Sequence, residues 1–403
     1  MRNLTAVFIA VALTGCGSPT TESPVPTSTS STTTTTSTTT TPTTTTSTTT
    51  TTTTVSTTTT STTSTTTSTT TPPGPTPAEC VALLPPALRI GQVLMPVVEQ
   101  AGLAEAAALA ERGLVGGVVV IGTPDEGIVE AVAGLQDAST TASLVIAVDE
   151  EGGTVQRLDG LLGRLPSAHG LTELEPRQVQ VVVADRAAAM ADLGFTMNLA
   201  PVLDVGAGPG IGSRSFGDEP GVVTTYGRAF AEGVREGGLV PVVKHFPGHG
   251  RADADSHDDL PVTPPLEEME AFDLLPWRGL PDGVAVMVGH LDVPGLTDGM
   301  PASLSPAAVD GLLRGELGFD GVVVTDDLAM GAVEEVATMP KAAVLALAAG
   351  ADLLITGGVD DVIPVAWEVV TALDDGRLAT ARLDEAVERV FALRGVDPCT
   401  LVG

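Results

Sequence analysis

The chain has 403 residues and carries 50 acidic against 19 basic side chains, a formal net charge of −31. Such an acidic excess argues against a nucleic-acid binder or a polybasic membrane binder, since both rely on Lys and Arg to neutralise phosphate. Aromatics are 3% of the chain, and Tyr226, Trp277 and Trp367 are its only Tyr and Trp residues, so a sugar-binding platform of stacked aromatics is poorly supplied.

Residues 1–15 read as an export signal: Met1-Arg2-Asn3, an apolar run from Leu4 to Leu13, then Thr14-Gly15. The run is much shorter than the ~20 residues of a spanning helix, and small residues close it. Leu13-Thr14-Gly15-Cys16 also resembles the bacterial lipobox, which makes Cys16 the expected lipidation site. The expected location is the outer face of the cell membrane, with contact to the membrane through the lipid alone and the folded domain in the cell-wall space. Residues 16–78 are mostly Thr, Ser and Pro, without apolar periodicity, and read as a disordered linker. The folded domain is expected over 79–403. Cys80 and Cys399 bracket it, and in an exported protein two remaining thiols suggest a disulfide, with two free buried thiols as the alternative.

Eight Val/Ile-rich strands are predicted, at Gln92–Val98, Val115–Ile121, Leu144–Asp149, Thr196–Leu203, Val240–His245, Val284–His290, Gly321–Thr325 and Asp352–Thr356. Apolar residues at i, i+3 and i+4 predict helices at Leu103–Arg112, Gln178–Leu193, Pro220–Glu236, Glu267–Leu280, Pro306–Leu317, Met339–Ala348 and Leu383–Leu393. The strands are apolar throughout, the pattern of a parallel sheet covered on both faces. Strands alternating with helices over this length give an α/β fold, a (β/α)8 TIM-type barrel. A doubly wound open sheet is the alternative, but no GxGxxG follows the first strand.

Polar residues cluster just after these strands: Asp149-Glu150-Glu151, Asp204, Lys244-His245, His290 and Asp326-Asp327. In a barrel all strand C-termini open on one face, where the active site lies, so these segments should converge. Lys244 and His245 are placed to hydrogen-bond the hydroxyls of a polar ligand. The loop that follows would bring His257 over the site, with Asp255 orienting its imidazole for acid/base work. One of Asp326 and Asp327 should face the mouth, where a carboxylate can attack a sugar's anomeric carbon, while the other caps a helix. Asp149 and Arg157 either bind a sugar or form an ion pair across the Gly-rich turn between them. His245, His249, Asp255 and His257 are also potential metal ligands, but Pro247 and Gly248 forbid a helix that would align the first two, and Lys244 would repel a cation. No metal or cofactor is expected.

These motifs in this order resemble glycoside hydrolase family 3, in particular its single-domain bacterial β-N-acetylglucosaminidases. The matching segments are VDEEGGTVQRL (148–158), NLAPVLDV (198–205), RSFG (214–217), KHFPGHG (244–250), DSH (255–257), MVGH (287–290) and LGFDGVVVTDDLAM (317–330). The resemblance runs from about residue 87 to 395. It implies a retaining mechanism with Asp326 as nucleophile, His257 as general acid/base on a mobile loop and Asp255 as its partner. It further implies that Asp149, Arg157, Arg214, Lys244 and His245 bind N-acetylglucosamine. The implied substrates are glycans bearing that sugar, peptidoglycan or its fragments given the export signal, cut one unit at a time from the end. Other readings are a phosphorylase of the same family and a non-catalytic wall-binding lipoprotein. One departure stands out: Arg251-Ala252 occupies positions where the family usually has an acidic or amide residue followed by Thr.

Overall fold

The structure, a computed structural model, describes residues 74–402. The export signal, Cys16 and all but the last residues of the 16–78 linker lie outside the described residues.

All eight predicted strands form. They are β1 (Leu94–Met95, resuming as Val97–Glu99), β2 (Gly117–Ile121), β3 (Val145–Val148), β4 (Met197–Asn198), β5 (Val240–Phe246), β6 (Ala285–Val288), β7 (Val323–Thr325) and β8 (Leu354–Ile355). Neighbours in sequence pair in parallel from the second half of β1 through to β7. The ring closes at the other edge: Val324 bridges Leu353, and Leu94 and Met95 pair with Leu354 and Ile355 of β8. Pro96 lies at the seam. It has no N–H to give, and the strand changes neighbours there, from β8 before it to β2 after it.

The absence of alternation has a direct cause. Val119, Ala147, Met197, Val242, Met287, Val324 and Ile355 point inward and fill the barrel. The residues between them, such as Val118, Val120, Ile146, Val148, Val243, Val286 and Val323, point outward into a second core under the helices. Both faces are buried, so both are apolar. Helices Leu103–Glu111, Pro176–Asp192, Pro220–Glu236, Ala307–Glu316, Met339–Ala349 and Thr380–Leu393 fall where expected.

Four expectations need correction. The ladder of β4 covers only Met197–Asn198, because Pro201 cannot donate, and the chain rejoins β5 through a single bridge from Val202 to Lys244. The helix expected over Glu267–Leu280 is Leu266–Ala271 only, the backbone leaving helical geometry at Phe272 (φ −140°, ψ −74°); the chain turns and buries Trp277 against Phe246. Helices Ile128–Ala138 and Val362–Asp375 were not anticipated. Nor were Pro77–Leu83 and Pro86–Gln92, the second of which takes up the predicted start of β1 at Gln92.

Cys80, in the first of those N-terminal helices, is bonded to Cys399 across 319 positions, with Cα atoms 5.0 Å apart. Replacing both cysteines with serine releases a loop that spans the whole barrel. The expected outcome is a loss of about 2–5 kcal/mol in unfolding free energy by denaturant titration, with the activity of the folded protein retained. An unchanged unfolding midpoint would show that the bond adds nothing to stability.

Candidate active site

The expected convergence occurs. A cavity of about 270 Å³ opens at the C-terminal ends of the strands, lined by Asp149, Arg157, Arg214, Lys244, His245, His257 and Asp326 over an apolar floor that includes Val119, Leu199, Met287 and Ile355. That is just under the usual volume range of small-molecule sites, the size of a pocket for one sugar unit.

The wall is organised around a buried lysine. Lys244, in β5, donates to Asp149 at 2.6 Å and lies 2.8 Å from Glu151. Arg214 approaches Glu151 with two parallel bonds, both 2.9 Å, the fork geometry that suits a carboxylate. Burial alone would raise the Glu151 carboxyl, but Lys244 and Arg214 outweigh it and hold the pKa at about 2. Burial likewise works against a charged Lys244, and Asp149 and Glu151 reverse it, raising its pKa.

His245 is oriented from behind. Its Nδ1 lies 2.7 Å from Asp204 Oδ2, and Asp204 Oδ1 accepts the backbone N–H groups of His245 and His249. Burial opposes ionisation of Asp204 but is outweighed by His245, so its pKa is lowered and it accepts the Nδ1 proton. On the other side Nε2 meets Arg214 Nη2 at 3.3 Å. Arginine can only donate, so in its neutral form His245 accepts at Nε2.

The two adjacent aspartates after β7 take different partners, and neither caps a helix: the N-cap of the helix that follows, Gly331–Glu334, is Met330. Asp327 also lines the cavity, but its Oδ1 accepts the N–H groups of Ala329 and Gly357, and burial raises its pKa. Asp326 faces the cavity and accepts one hydrogen bond, from the Asp327 N–H. Burial disfavours its charge, yet His245, His290 and Lys244 outweigh that and hold it at about 2. His290 is itself fixed: Nε2–H donates to the Asp327 carbonyl at 2.9 Å, and Nδ1 takes the Ser303 hydroxyl at 2.7 Å.

His257 sits on the rim with its side chain 68% exposed. Its Nδ1 and its backbone N–H both meet Asp255 Oδ1, at 2.7 and 3.1 Å, which leaves Nε2 for proton exchange. Beneath this pair lies Gly210, at φ +75°, where a Cβ would come within 2.8 Å of the Asp255 carboxyl carbon. Only glycine suits both that backbone angle and that spacing. The Gly210 carbonyl accepts from Arg214, so one short loop touches both the wall and the rim pair.

One alternative left open by the sequence falls away. Asp149 pairs with Lys244, not with Arg157. The turn between them is held by Glu150, which accepts the backbone N–H groups of Arg157 and Leu158 and pairs with Arg186. The four possible metal ligands also part company: His245 goes to Asp204 and His257 to Asp255, and among the described residues no three such groups come together. Glu151, central to the wall, and the orienting role of Asp204 were missed. The signal for Asp204 was its place at a strand end; for Glu151 there was only its membership of an acidic triplet.

The family description "Glycosyl hydrolase family 3 N terminal domain" matches residues 87–393. Beta-hexosaminidase LpqI of Mycobacterium tuberculosis is 41% identical over 336 residues, which cover 80% of this chain and 86% of that protein. Among solved structures, a glycosyl hydrolase of the GH3 family from Mycobacterium smegmatis matches with a TM-score of 0.74 at 40% identity, over 78% of this chain and 98% of that one. A family 3 β-N-acetylglucosaminidase from Paenibacillus matches with a TM-score of 0.72 at 32% identity, over 79% of this chain and 64% of that one.

The wall should make the protein sensitive to acid. Glu151 titrates at an ordinary 4.5 when unfolded and at about 2 when folded, so its contribution is complete above the first value and is lost as pH falls to the second. Asp326 acts in the same direction. Unfolding free energy should drop by on the order of 3 kcal/mol through this window from Glu151 alone. Glu151→Gln should flatten the slope, and an unchanged slope in that variant would place the acid sensitivity elsewhere.

Proposed function

The chain belongs to glycosyl hydrolase family 3, and on that basis we propose that it is a retaining exo-β-N-acetylglucosaminidase. At the coarser level it is a glycoside hydrolase of the β-hexosaminidase kind. The finer reading rests above all on one observation: an ionised Asp326 on the inner side of a one-sugar cavity whose rim carries a histidine already paired to a carboxylate.

The free oxygen of Asp326 attacks the anomeric carbon as the bond to the leaving oxygen breaks, and His257 Nε2–H supplies the proton to that oxygen. Asp255 stabilises the imidazolium before transfer and holds the ring afterwards. Neutral His257 then takes a proton from water, which attacks the glycosyl-Asp326 ester and releases the sugar with retained configuration. Lys244, Asp149, Arg214, Arg157 and His245 supply donors and acceptors for the hydroxyls and the N-acetyl group. With His257 exposed, the loop has to close over the substrate before it can act.

A single-unit cavity favours removal of terminal residues. Peptidoglycan fragments are the substrate class that agrees with the export signal, and a histidine acid/base, neutral after giving up its proton, does not repel their carboxylates. The same signal supports attachment through Cys16 to the outer face of the membrane.

The test is release of nitrophenol from the N-acetyl-β-glucosaminide and from the β-glucoside, with and without phosphate. Turnover should favour the acetylated substrate, be independent of phosphate, and fall by about 10³-fold or more in Asp326→Asn. Sugar 1-phosphate as product would make the enzyme a phosphorylase, and large oligosaccharides released from intact glycan strands would contradict exo action. Separately, Cys16→Ser should move the expressed protein from the membrane fraction to the soluble fraction. Retention at the membrane in that variant would overturn lipid anchoring.

A further inference from the structure

Arg251, where the sequence departs from the family pattern, opens the loop that carries Asp255 and His257 but points away from the cavity. Its guanidinium grips Asp273, with Nε 3.0 and 3.1 Å from the two carboxylate oxygens and Nη2 2.5 Å from Oδ2, and it lies 4.9 Å over the Phe272 ring. Asp273 is 1% exposed, and among the described residues Arg251 is its only cationic partner. A buried carboxylate with one cation holds that cation firmly.

The rest of the loop is fastened unevenly. Next to Arg251, the Gly250 carbonyl accepts the Gly208 N–H at 2.8 Å, and Asp253 is tied to Val262 through its backbone and its side chain. At the tip, the carbonyls of Ser256 and His257 accept from Ala332 and Gly331 at 3.4 and 3.3 Å, near the limit for a hydrogen bond. The loop is thus charge-locked at its base and loosely latched at its tip, where His257 stands out over the cavity.

We propose that the Arg251–Asp273 pair is the pivot of the acid/base loop, so that Arg251 is a positioning residue for proton delivery by His257. The proposal rests on the reading of His257 as the acid/base. When the tip swings inward, the locked base determines where Nε2 arrives relative to the leaving oxygen. Placement errors of about 1 Å can cost a catalytic group about 10²-fold.

The test compares kcat/KM for two N-acetyl-β-glucosaminides. One carries 2,4-dinitrophenol, which leaves as a stable anion without a proton; the other is a β-linked disaccharide, whose leaving alkoxide requires one. Arg251→Gln should lose about 10- to 100-fold on the disaccharide and stay within about threefold of wild type on the dinitrophenyl substrate. Asp273→Asn should show the same selectivity, and Arg251→Lys should recover most of the loss. Should Arg251→Gln fail to fold because Asp273 is left unpaired, the double variant Arg251→Gln/Asp273→Asn, which removes both charges, is read in its place. Equal losses on the two substrates, or none on either, would overturn the pivot. His257→Ala, run in parallel, separates the two ideas. If it is selective while Arg251→Gln is not, the pivot fails alone; if His257→Ala is itself unselective, the acid/base assignment fails and the pivot with it.

Discussion

Lys244 is buried at the end of β5, between two carboxylates that follow β3, and its position constrains the rest of the site. An ammonium group out of water is tolerable only with close counter-charges. Asp149 and Glu151 must therefore turn toward it, and the second of them draws in Arg214 from a loop distant in sequence. Arg214 in turn meets His245 and the Gly210 carbonyl. One buried cation thus aligns three segments of the chain, and the geometry of the pocket wall follows. The energy of such a cluster is less informative than its geometry, since desolvation offsets much of the attraction while each member remains costly to remove.

The opposite end of the barrel shows what a charge cluster looks like without that purpose. Asp352, just before β8, is buried and holds Arg314, Arg382 and Arg389, and it also accepts the Val323 N–H. It joins the last helix to the base of the sheet. Three cations there surround one carboxylate and stitch the ends of elements together, whereas at the mouth the charges line a cavity. The division agrees with the general asymmetry of these barrels, stability at one face and chemistry at the other.

The strands were legible because being buried on both sides makes them continuously apolar, a property of the residues themselves. The limits of β4 and of the helix at 266–271 were not, although Pro201 is visible in the sequence; where an element ends depends on what the chain meets next. Val362–Asp375 is crowded with Val and Ile and has a proline in its first turn, so its helical state owes more to packing than to local preference. Asp326, Asp255 and His257 could be singled out from their motifs; Asp326 and His257 do line the cavity, and Asp255 does pair with His257. Three acids in succession could not, because a run of like side chains does not reveal which of them takes which face. Asp149 and Glu151 face Lys244 while Glu150 faces the hairpin, the ordinary two-residue alternation of extended chain.

The charges around the cavity bear on why the acid should be a histidine. Asp149, Glu151, Asp326 and Asp327 stand against Lys244, Arg214 and Arg157, four carboxyl groups and three cations in a chain of net charge −31. In the proposed mechanism a carboxylic acid as proton donor would become a further anion on giving up its proton, facing any carboxylate that an acidic substrate carries. His257 cycles between cationic and neutral forms, and the Asp255 charge that steadies it is held at the rim, partly in solvent. In the proposed mechanism, giving up the proton therefore adds no negative charge to a pocket that already holds several carboxyl groups, and the proton carrier can stand on a loop at the rim.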